Sequence, residues 1–386
     1  MKIAFLTTDN REQRNQYEVE RPFFGPAPQA VIDGLARHGS DVEVHVISCA
    51  RRRMAAPAKL APNIWFHQPI VPLAGWGRTA FLGCGWAVAR VLRSLAPDLV
   101  HAQGTERDCA VSMLLAPCRP KLLTIHGCMS EMQRQGLHGN RRYGRLVSSI
   151  EKIALRRADG VFCNSDYTEG LVGRLSRRTW RVPNAVRTPF LDRPNRSRER
   201  SNETTLINVG LLSSYKRQLE ILRVIRGLRS EGHRVRIWFV GPADWESEYG
   251  RGFGEELREA GESGAAEHLG YRDESALIDL LDQADGAVHF PTMETFGLVV
   301  AEALARGLKF FGSDRGGVPD VARGVPGAEI HASEEGLAAG IRSWLEAGAP
   351  RHPEAADAIR ARFSEQAVAE RHVEIYKACL GISKQA

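Results

Sequence analysis

Short apolar strands alternating with helix-length segments run through this chain of 386 residues, stop once, and start again. "KIAFLTT" reads as a buried strand, "FGPAPQAVIDGLARHG" as loop and helix with Gly39 as its stop, and "VEVHVI" as a second, β-branched strand. The same theme continues in "PDLVHAQG", "PKLLTIHG" and "ADGVFCNS", each an apolar run ending in small or polar residues. Such a rhythm belongs to a doubly wound parallel sheet. Residues 187–205, "RTPFLDRPNRSRERSNETT", interrupt it with a polar, basic stretch, after which "TLINVGLL", "QLEILRVIRGLRSEG", "VRIWFVGP", "EHLGY", "ESALIDLLDQAD", "GAVHFPT" and "KFFGSD" resume it. The length also exceeds what one hydrophobic core organises. The expected fold is therefore α/β, with two Rossmann-like doubly wound domains facing a central cleft. They span residues 1–187 and 204–365, joined by a linker at 188–203, and an amphipathic terminal helix at 366–386 packs back on the first domain. Sheets of this kind take ligands at the carboxyl ends of their strands, where helix N-termini offer free amides.

Composition excludes several classes. The seven cysteines, Cys49, Cys84, Cys109, Cys118, Cys128, Cys163 and Cys379, are odd in number and never form C-x-x-C, which argues against a disulfide framework and a zinc site. A reducing cytoplasm fits. "MKIAFLTTDN" is too short an apolar stretch for a signal peptide, and "TAFLGCGWAVA" falls short of the ~20 residues of a membrane span. Charge is unevenly placed: residues 1–190 carry 27 Lys and Arg against 15 Asp and Glu, and the remainder 25 against 31. The first half is expected to meet something anionic.

The stretch "HFPTMETFGLVVAEALARG", residues 289–307, places Glu302 inside an apolar run, where a carboxylate is costly to bury without donors. "GAVHFPT" is a strand, "METFG" its exit loop, and a helix starts near Phe296 or Gly297 and stops at Gly307. Amides around Thr295 to Leu298 are placed to hold a phosphate, with Gly297 allowing close backbone approach. Glu302 has two acceptor oxygens, suited to a vicinal diol such as that of ribose. Each glutamate also has a plainer reading, Glu294 as an acid favoured by the helix dipole and Glu302 as a solvent-facing position.

Read together, P-T-x-E-T-F-G-L-V-V-A-E-A-L-A-R-G and the following "GSDRGGVPDV" closely resemble the E-x7-E motif of retaining glycosyltransferases of the two-Rossmann GT-B fold, family 4. The resemblance runs the length of the chain, through "TIHG", "RADGVFCNSDYT", "VPNAV", "NVGLLSSYKR", "FVGP", "HLGYRDESALIDLLDQADGAVHFPT" and "FSEQAVAERHVEIYKACL". It implies that Glu302 receives the nucleotide ribose, that Glu294 meets donor-sugar hydroxyls, and that Thr295, Phe296, Gly297 and Leu298 hold the distal phosphate and sugar. It implies further that Lys216 neutralises the departing diphosphate, with Gly210 and Arg217 beside it. Gly270, Tyr271 and Arg272 would line the base, Gly25 would approach the donor phosphates, and His126 would lie near the transferred sugar. The donor is expected to be a UDP- or GDP-sugar, with no cofactor and no metal, since no D-x-D triplet occurs. The chain departs from the family pattern at Leu211, where an arginine is usual, at Ala185 and Asp320, and in "FFGPAP", which has one glycine where two are common.

The basic half is expected to bind the acceptor. "RQGLHGNRRYGR" gathers Arg134, Arg141, Arg142 and Arg145 around Tyr143, and "AGWGRTAFLGCGWAVARVLRSL" mixes Trp76, Phe81 and Trp86 with Arg78, Arg90 and Arg93. Such mixtures suit an anionic or lipid-linked acceptor and peripheral contact with the inner membrane face, although an ordinary helix packed on the sheet accounts for the second segment. No recognition motif for nucleic acid accompanies the charge. The expected activity is transfer of a sugar from a nucleotide-diphosphate sugar to an acceptor hydroxyl, in cell-envelope polysaccharide, glycolipid or natural-product glycoside synthesis. The alternatives are a nucleotide-sugar epimerase of the same shape and a catalytically silent nucleotide-sugar-binding subunit.

Overall fold

Each of the two sheets begins with a strand that ends up in its interior, so the chain must wind outward in one direction and then return to wind in the other. The computed structural model describes residues 1–137, 140–194 and 202–382. It divides into a first unit, residues 1–185 together with the segment from Glu365 onward, and a second unit, Val186–Ser364.

Among the described residues the first unit holds β1 (Lys2–Leu6), β2 (Glu43–Ile47), β3 (Lys59–Ala61), β4 (Ile64–His67), β5 (Leu99–Gln103), β6 (Lys121–Ile125), β7 (Gly160–Cys163) and β8 (Thr179–Arg181), in the order β3-β4-β2-β1-β5-β6-β7-β8. All neighbours are parallel except β3 with β4. The second unit holds β9 (Thr204–Val209), β10 (Val235–Val240), β11 (Ala266–Gly270), β12 (Gly286–His289), β13 (Lys309–Ser313) and β14 (Ala328–His331), in the order β11-β10-β9-β12-β13-β14 and all parallel. The winding direction reverses between β1 and β5 in one sheet and between β9 and β12 in the other. Those reversals open a crevice at the carboxyl ends of the strands, where ligands bind in such folds.

Strands buried on both faces read as continuous apolar runs, and each sheet here is covered by an apolar cluster on either side. Two Rossmann-like α/β units follow directly from this arrangement. The helix Glu365–Cys379 belongs to the first unit, and its buried residues Glu365, Val368, Ala369, His372, Ile375 and Tyr376 recur at the three-and-four spacing of a single helix face. It lies against the helix Pro26–His38 at Gly34, where an added Cβ would stand 2.6 Å from the Glu365 carbonyl oxygen. Its Tyr376 hydroxyl is 2.7 Å from His101 Nδ1, and His101 Nε2 is 2.8 Å from Thr124 Oγ1.

The expected linker does not begin at residue 188. Thr188–Asp192 forms a short helix, Phe190 is completely buried in the core of the second unit, and Arg193 reaches the Asp279 carboxylate at 2.5 Å. One large apolar side chain among basic neighbours is enough to dock the segment, and the density of arginines in the sequence hides it. Residues 195–201 of the expected linker lie outside the described residues. A buried pair completes the anchor: the Arg306 guanidinium donates to Asp282 at 2.9 and 3.0 Å and to the carbonyls of Phe190 and Arg193 at 3.2 and 2.6 Å.

Candidate active site

In the second unit the exit loop of β12 and the helix Leu298–Ala305 carry the two glutamates. The loop is held by a glycine pair: an added Cβ at Gly316 would stand 2.1 Å from the Glu294 carbonyl oxygen, and one at Gly317 2.3 Å from that of Thr295. Gly317 N–H donates to the Glu294 carbonyl at 2.8 Å. Gly297, at φ +88°, caps the helix without a side-chain bond. The next backbone bond runs from Val300 N–H to Gly297 O, so the amides of Phe296, Gly297 and Leu298 have no acceptor among the described residues. Free amides at the start of a helix form an anion-receiving end.

Beside these amides stands an ion pair that spans the reversal point between β9 and β12. Lys216 closes the turn Ser214–Lys216 that follows β9, and its Nζ lies 2.5 Å from Glu294 Oε2. His289, the last residue of β12, places Nε2 3.0 Å from the same oxygen, and Thr295 N–H donates to Oε1 at 3.1 Å. Burial alone would push the Glu294 carboxyl up. The Lys216 ammonium and the His289 ring outweigh it and hold Glu294 well below the usual carboxylate range. Arg217 takes the left-handed conformation at φ +58° and turns its guanidinium to Glu334 and across the Phe290 ring. Arg315 is exposed and pairs with Asp314. Neither guanidinium pairs with Glu294, whose cation is Lys216.

Next to the pair, the carboxyl ends of β9, β10 and β11 meet through bare backbone. A Cβ on Gly241 would stand 2.1 Å from the Gly210 carbonyl oxygen, and Gly241 N–H donates to Gly270 O at 2.9 Å. Leu211, Tyr271 and Arg272 are exposed along this edge. The side chain of Glu302 is buried, and its compensating donor is Arg187, with Nη2 at 3.3 Å from Oε1; Arg187 Nη1 reaches Glu274 at 2.6 Å. Burial raises the Glu302 carboxyl while Arg187 opposes that rise.

In the first unit, His126 lies just past β6 and its Nε2 is 2.9 Å from Gln103 Oε1. Burial and the nearby His372 bring its ring down to about 4, so it is neutral near pH 7. The loop after it is set by Glu151, which accepts from Thr105 Oγ1, Met129 N–H and Ser130 N–H at 2.8 to 2.9 Å. Glu106 fills the space left by Gly104 and Gly127 and accepts from Gly127 N–H at 3.0 Å. Its burial, with Glu151 nearby, pushes its carboxyl up to about 7. Gly25, at φ +83°, caps Pro26–His38 without a side-chain bond and lies beside Asn10. Arg134 pairs with Glu131, while Arg141, Arg142 and Arg145 are exposed on the helix Arg141–Arg157; His138 and Gly139 between them lie outside the described residues.

The sequence reading missed His289, Arg187, Glu274 and Glu106. His289 had a signal, a histidine at a strand end five residues before Glu294. The others are distant in sequence and meet their partners only through the fold. Cys49, Cys84 and Asp108 also converge, with ligand atoms within 4.8 Å of one another. A hydrogen bond with Cys84 and burial raise the Cys49 thiol, and burial raises Asp108, which opposes the deprotonation that metal ligation needs.

The chain is a glycosyltransferase of the GT-B fold. Its residues 29–189 match the family described as Glycosyltransferase Family 4, and residues 191–367 match Glycosyl transferases group 1. A glycogen synthase of Mycobacterium tuberculosis is 29% identical over 303 residues, covering 74% of this chain and 70% of that protein. Among solved structures, sucrose-phosphate synthase of Thermosynechococcus elongatus superposes with a TM-score of 0.75 at 17% identity, over 99% of this chain and 100% of the other. HepE of Anabaena, solved with UDP-glucose, superposes with a TM-score of 0.68 at 19% identity, over 98% and 100%.

Proposed function

We propose that this enzyme is a retaining glycosyltransferase that takes its sugar from a UDP- or GDP-sugar. The observation that carries the reading is the Lys216–Glu294 pair beside the free amides of Phe296, Gly297 and Leu298, at the reversal point of the second sheet. Breaking the bond from the anomeric carbon to phosphate sends its electron pair to the diphosphate and leaves positive charge on the sugar ring. A cation and aligned amides at the leaving group stabilise that separation. Lys216 and the helix amides take this role. Glu294, already fixed by Lys216, His289 and Thr295, keeps lone pairs for a donor-sugar hydroxyl. The acceptor hydroxyl attacks from the face the diphosphate leaves and gives its proton to a phosphate oxygen, so the new glycosidic bond keeps the anomeric configuration and a nucleoside diphosphate departs. The binding of UDP-glucose by HepE supports the donor class.

Glu302 receives the ribose diol, and the exposed edge of Gly210, Gly270, Tyr271 and Arg272 flanks the base. Calorimetric titration with UDP and GDP tests the nucleotide site. Glu302→Ala is expected to weaken the nucleotide that wild type binds by about tenfold or more, the loss of hydrogen bonds to a charged acceptor. Undiminished affinity in Glu302→Ala would show that the carboxylate does not meet the ribose.

A second observation concerns the acceptor side. On the helix Leu82–Leu95 the buried residues are Cys84, Gly85, Val88, Ala89 and Leu92, while Leu82, Trp86, Arg90 and Arg93 share the outer face. Trp86 is 66% exposed, and Leu73, in the turn that packs on this helix at Gly75 and Gly83, is 60% exposed. Trp76 and Phe81, the other aromatics of this segment, are buried, and the Trp76 indole donates to Val71 O at 3.0 Å. An exposed tryptophan and leucines beside arginines fit an anionic membrane surface, with an anionic or lipid-linked acceptor presented there. No helix among the described residues is long and apolar enough to cross a membrane. Flotation with phosphatidylglycerol vesicles should recover the wild type, and Trp86→Ser should reduce that recovery. Equal recovery of wild type with neutral phosphatidylcholine vesicles counts against the surface.

A further inference from the structure

Arg187 is the second residue of the second unit, and it joins two carboxylates far apart in sequence. Its Nη1 lies 2.6 Å from Glu274 Oε2 and its Nη2 3.3 Å from Glu302 Oε1. The guanidinium carbon sits over the Phe190 ring, 5.0 Å from its centre. Nε is buried and has no acceptor among the described residues, so the terminal nitrogens hold this side chain in place. The second oxygen of Glu302 meets no donor among the described residues.

We propose that Arg187 is a positioning residue for the nucleotide: it clamps one oxygen of Glu302, favours the charged carboxylate against its burial, and leaves the other oxygen to a ribose hydroxyl. The inference rests on the reading of Glu302 as the ribose acceptor. Burial works against ionisation of Glu302, and so does the neighbouring Glu274 charge; Arg187 opposes both. The charged groups on the other elements packed against Leu298–Ala305 are engaged elsewhere. Asp320 pairs with Arg323, Arg360 with Asp192, His289 with Glu294, and Lys309 with Glu329, while Arg362 donates to carbonyls. Arg187 is therefore the cation that decides whether Glu302 is ionised.

A carboxylate accepts hydroxyl donors and its protonated form accepts fewer, so nucleotide affinity is lost as pH falls through the Glu302 titration. Removing Arg187 moves that loss to higher pH, and removing Glu274 moves it lower. Titration of UDP or GDP, whichever wild type binds, between about pH 5 and 8 reads this directly. Arg187→Met is expected to begin losing affinity at a higher pH than wild type as pH falls. Arg187→Lys is expected to bring that onset most of the way back to wild type. A pH profile of Arg187→Met parallel to wild type overturns the proposal. Should Arg187→Met not be recovered folded, Glu274→Gln decides: an onset below that of wild type supports the clamp, and an unchanged onset overturns it. The two readings fail separately. Wild-type affinity in Glu302→Ala removes the ribose assignment itself, whereas weakened Glu302→Ala with an unmoved profile in Arg187→Met removes only the role of Arg187.

Discussion

Lys216→Ala is expected to lower turnover of the nucleotide sugar by about 10²- to 10³-fold while leaving nucleotide affinity within a few-fold of wild type. The lysine sits at the point where negative charge grows as the sugar leaves, and a charge that matters more in the transition state than in the ground state appears in kcat rather than in binding. The structure also offers a competing role, since Nζ lies 2.5 Å from Glu294 Oε2 and both side chains are mostly buried. A mere counter-ion would show itself as lost stability with turnover preserved. Steady-state kinetics of sugar transfer, or of slow donor hydrolysis with water as acceptor, separates the two. Turnover within about threefold of wild type, in a variant that unfolds at a lower temperature, would reduce Lys216 to the partner of Glu294.

Arg306→Ala is expected to destabilise the second unit by about 3–5 kcal/mol, because it leaves the Asp282 carboxylate buried without its cation. The same substitution removes the donors to Phe190 O and Arg193 O, so the docked segment ahead of β9 loses its hold together with the helix end. Arg306→Met with Asp282→Leu should regain most of the loss, since an apolar pair of similar volume has no charge to desolvate. Urea unfolding of the single and double variants measures both steps. A loss below about 1 kcal/mol in Arg306→Ala would mean that water or a rearranged side chain satisfies Asp282.

The alternation of strands and helices, the restart after residue 203, and the helix holding Glu302 were all legible in the sequence, because a doubly wound sheet writes itself as apolar runs at regular spacing. The helix Glu248–Glu262 was not. Gly250, Gly252 and Gly254 crowd its first half and mask its pattern, and Gly250 is demanded by the Asp244 carbonyl, which an added Cβ would meet at 2.0 Å. In the site, the two glutamates stood out since carboxylates in an apolar helix and its entry loop have few reasons to be there. What kept them there did not stand out. Arg187 is 115 residues from Glu302 and Lys216 is 78 from Glu294, and only the crossovers of the parallel sheet bring such positions together. The buried Phe190 was overlooked for the opposite reason, as one apolar residue in a segment whose composition reads as solvated.

The helix Glu365–Cys379 follows the whole second unit in sequence, yet it is part of the core of the first unit. During synthesis, then, the part of the chain that emerges first is the part that must wait. Residues 1–185 leave the ribosome with an unfilled seam along Pro26–His38 and above His101, while Val186–Ser364 can close on itself before Glu365–Cys379 emerges. The order of completion is inverted relative to the order of the sequence, and a helix made after the second unit seals the sheet of the first.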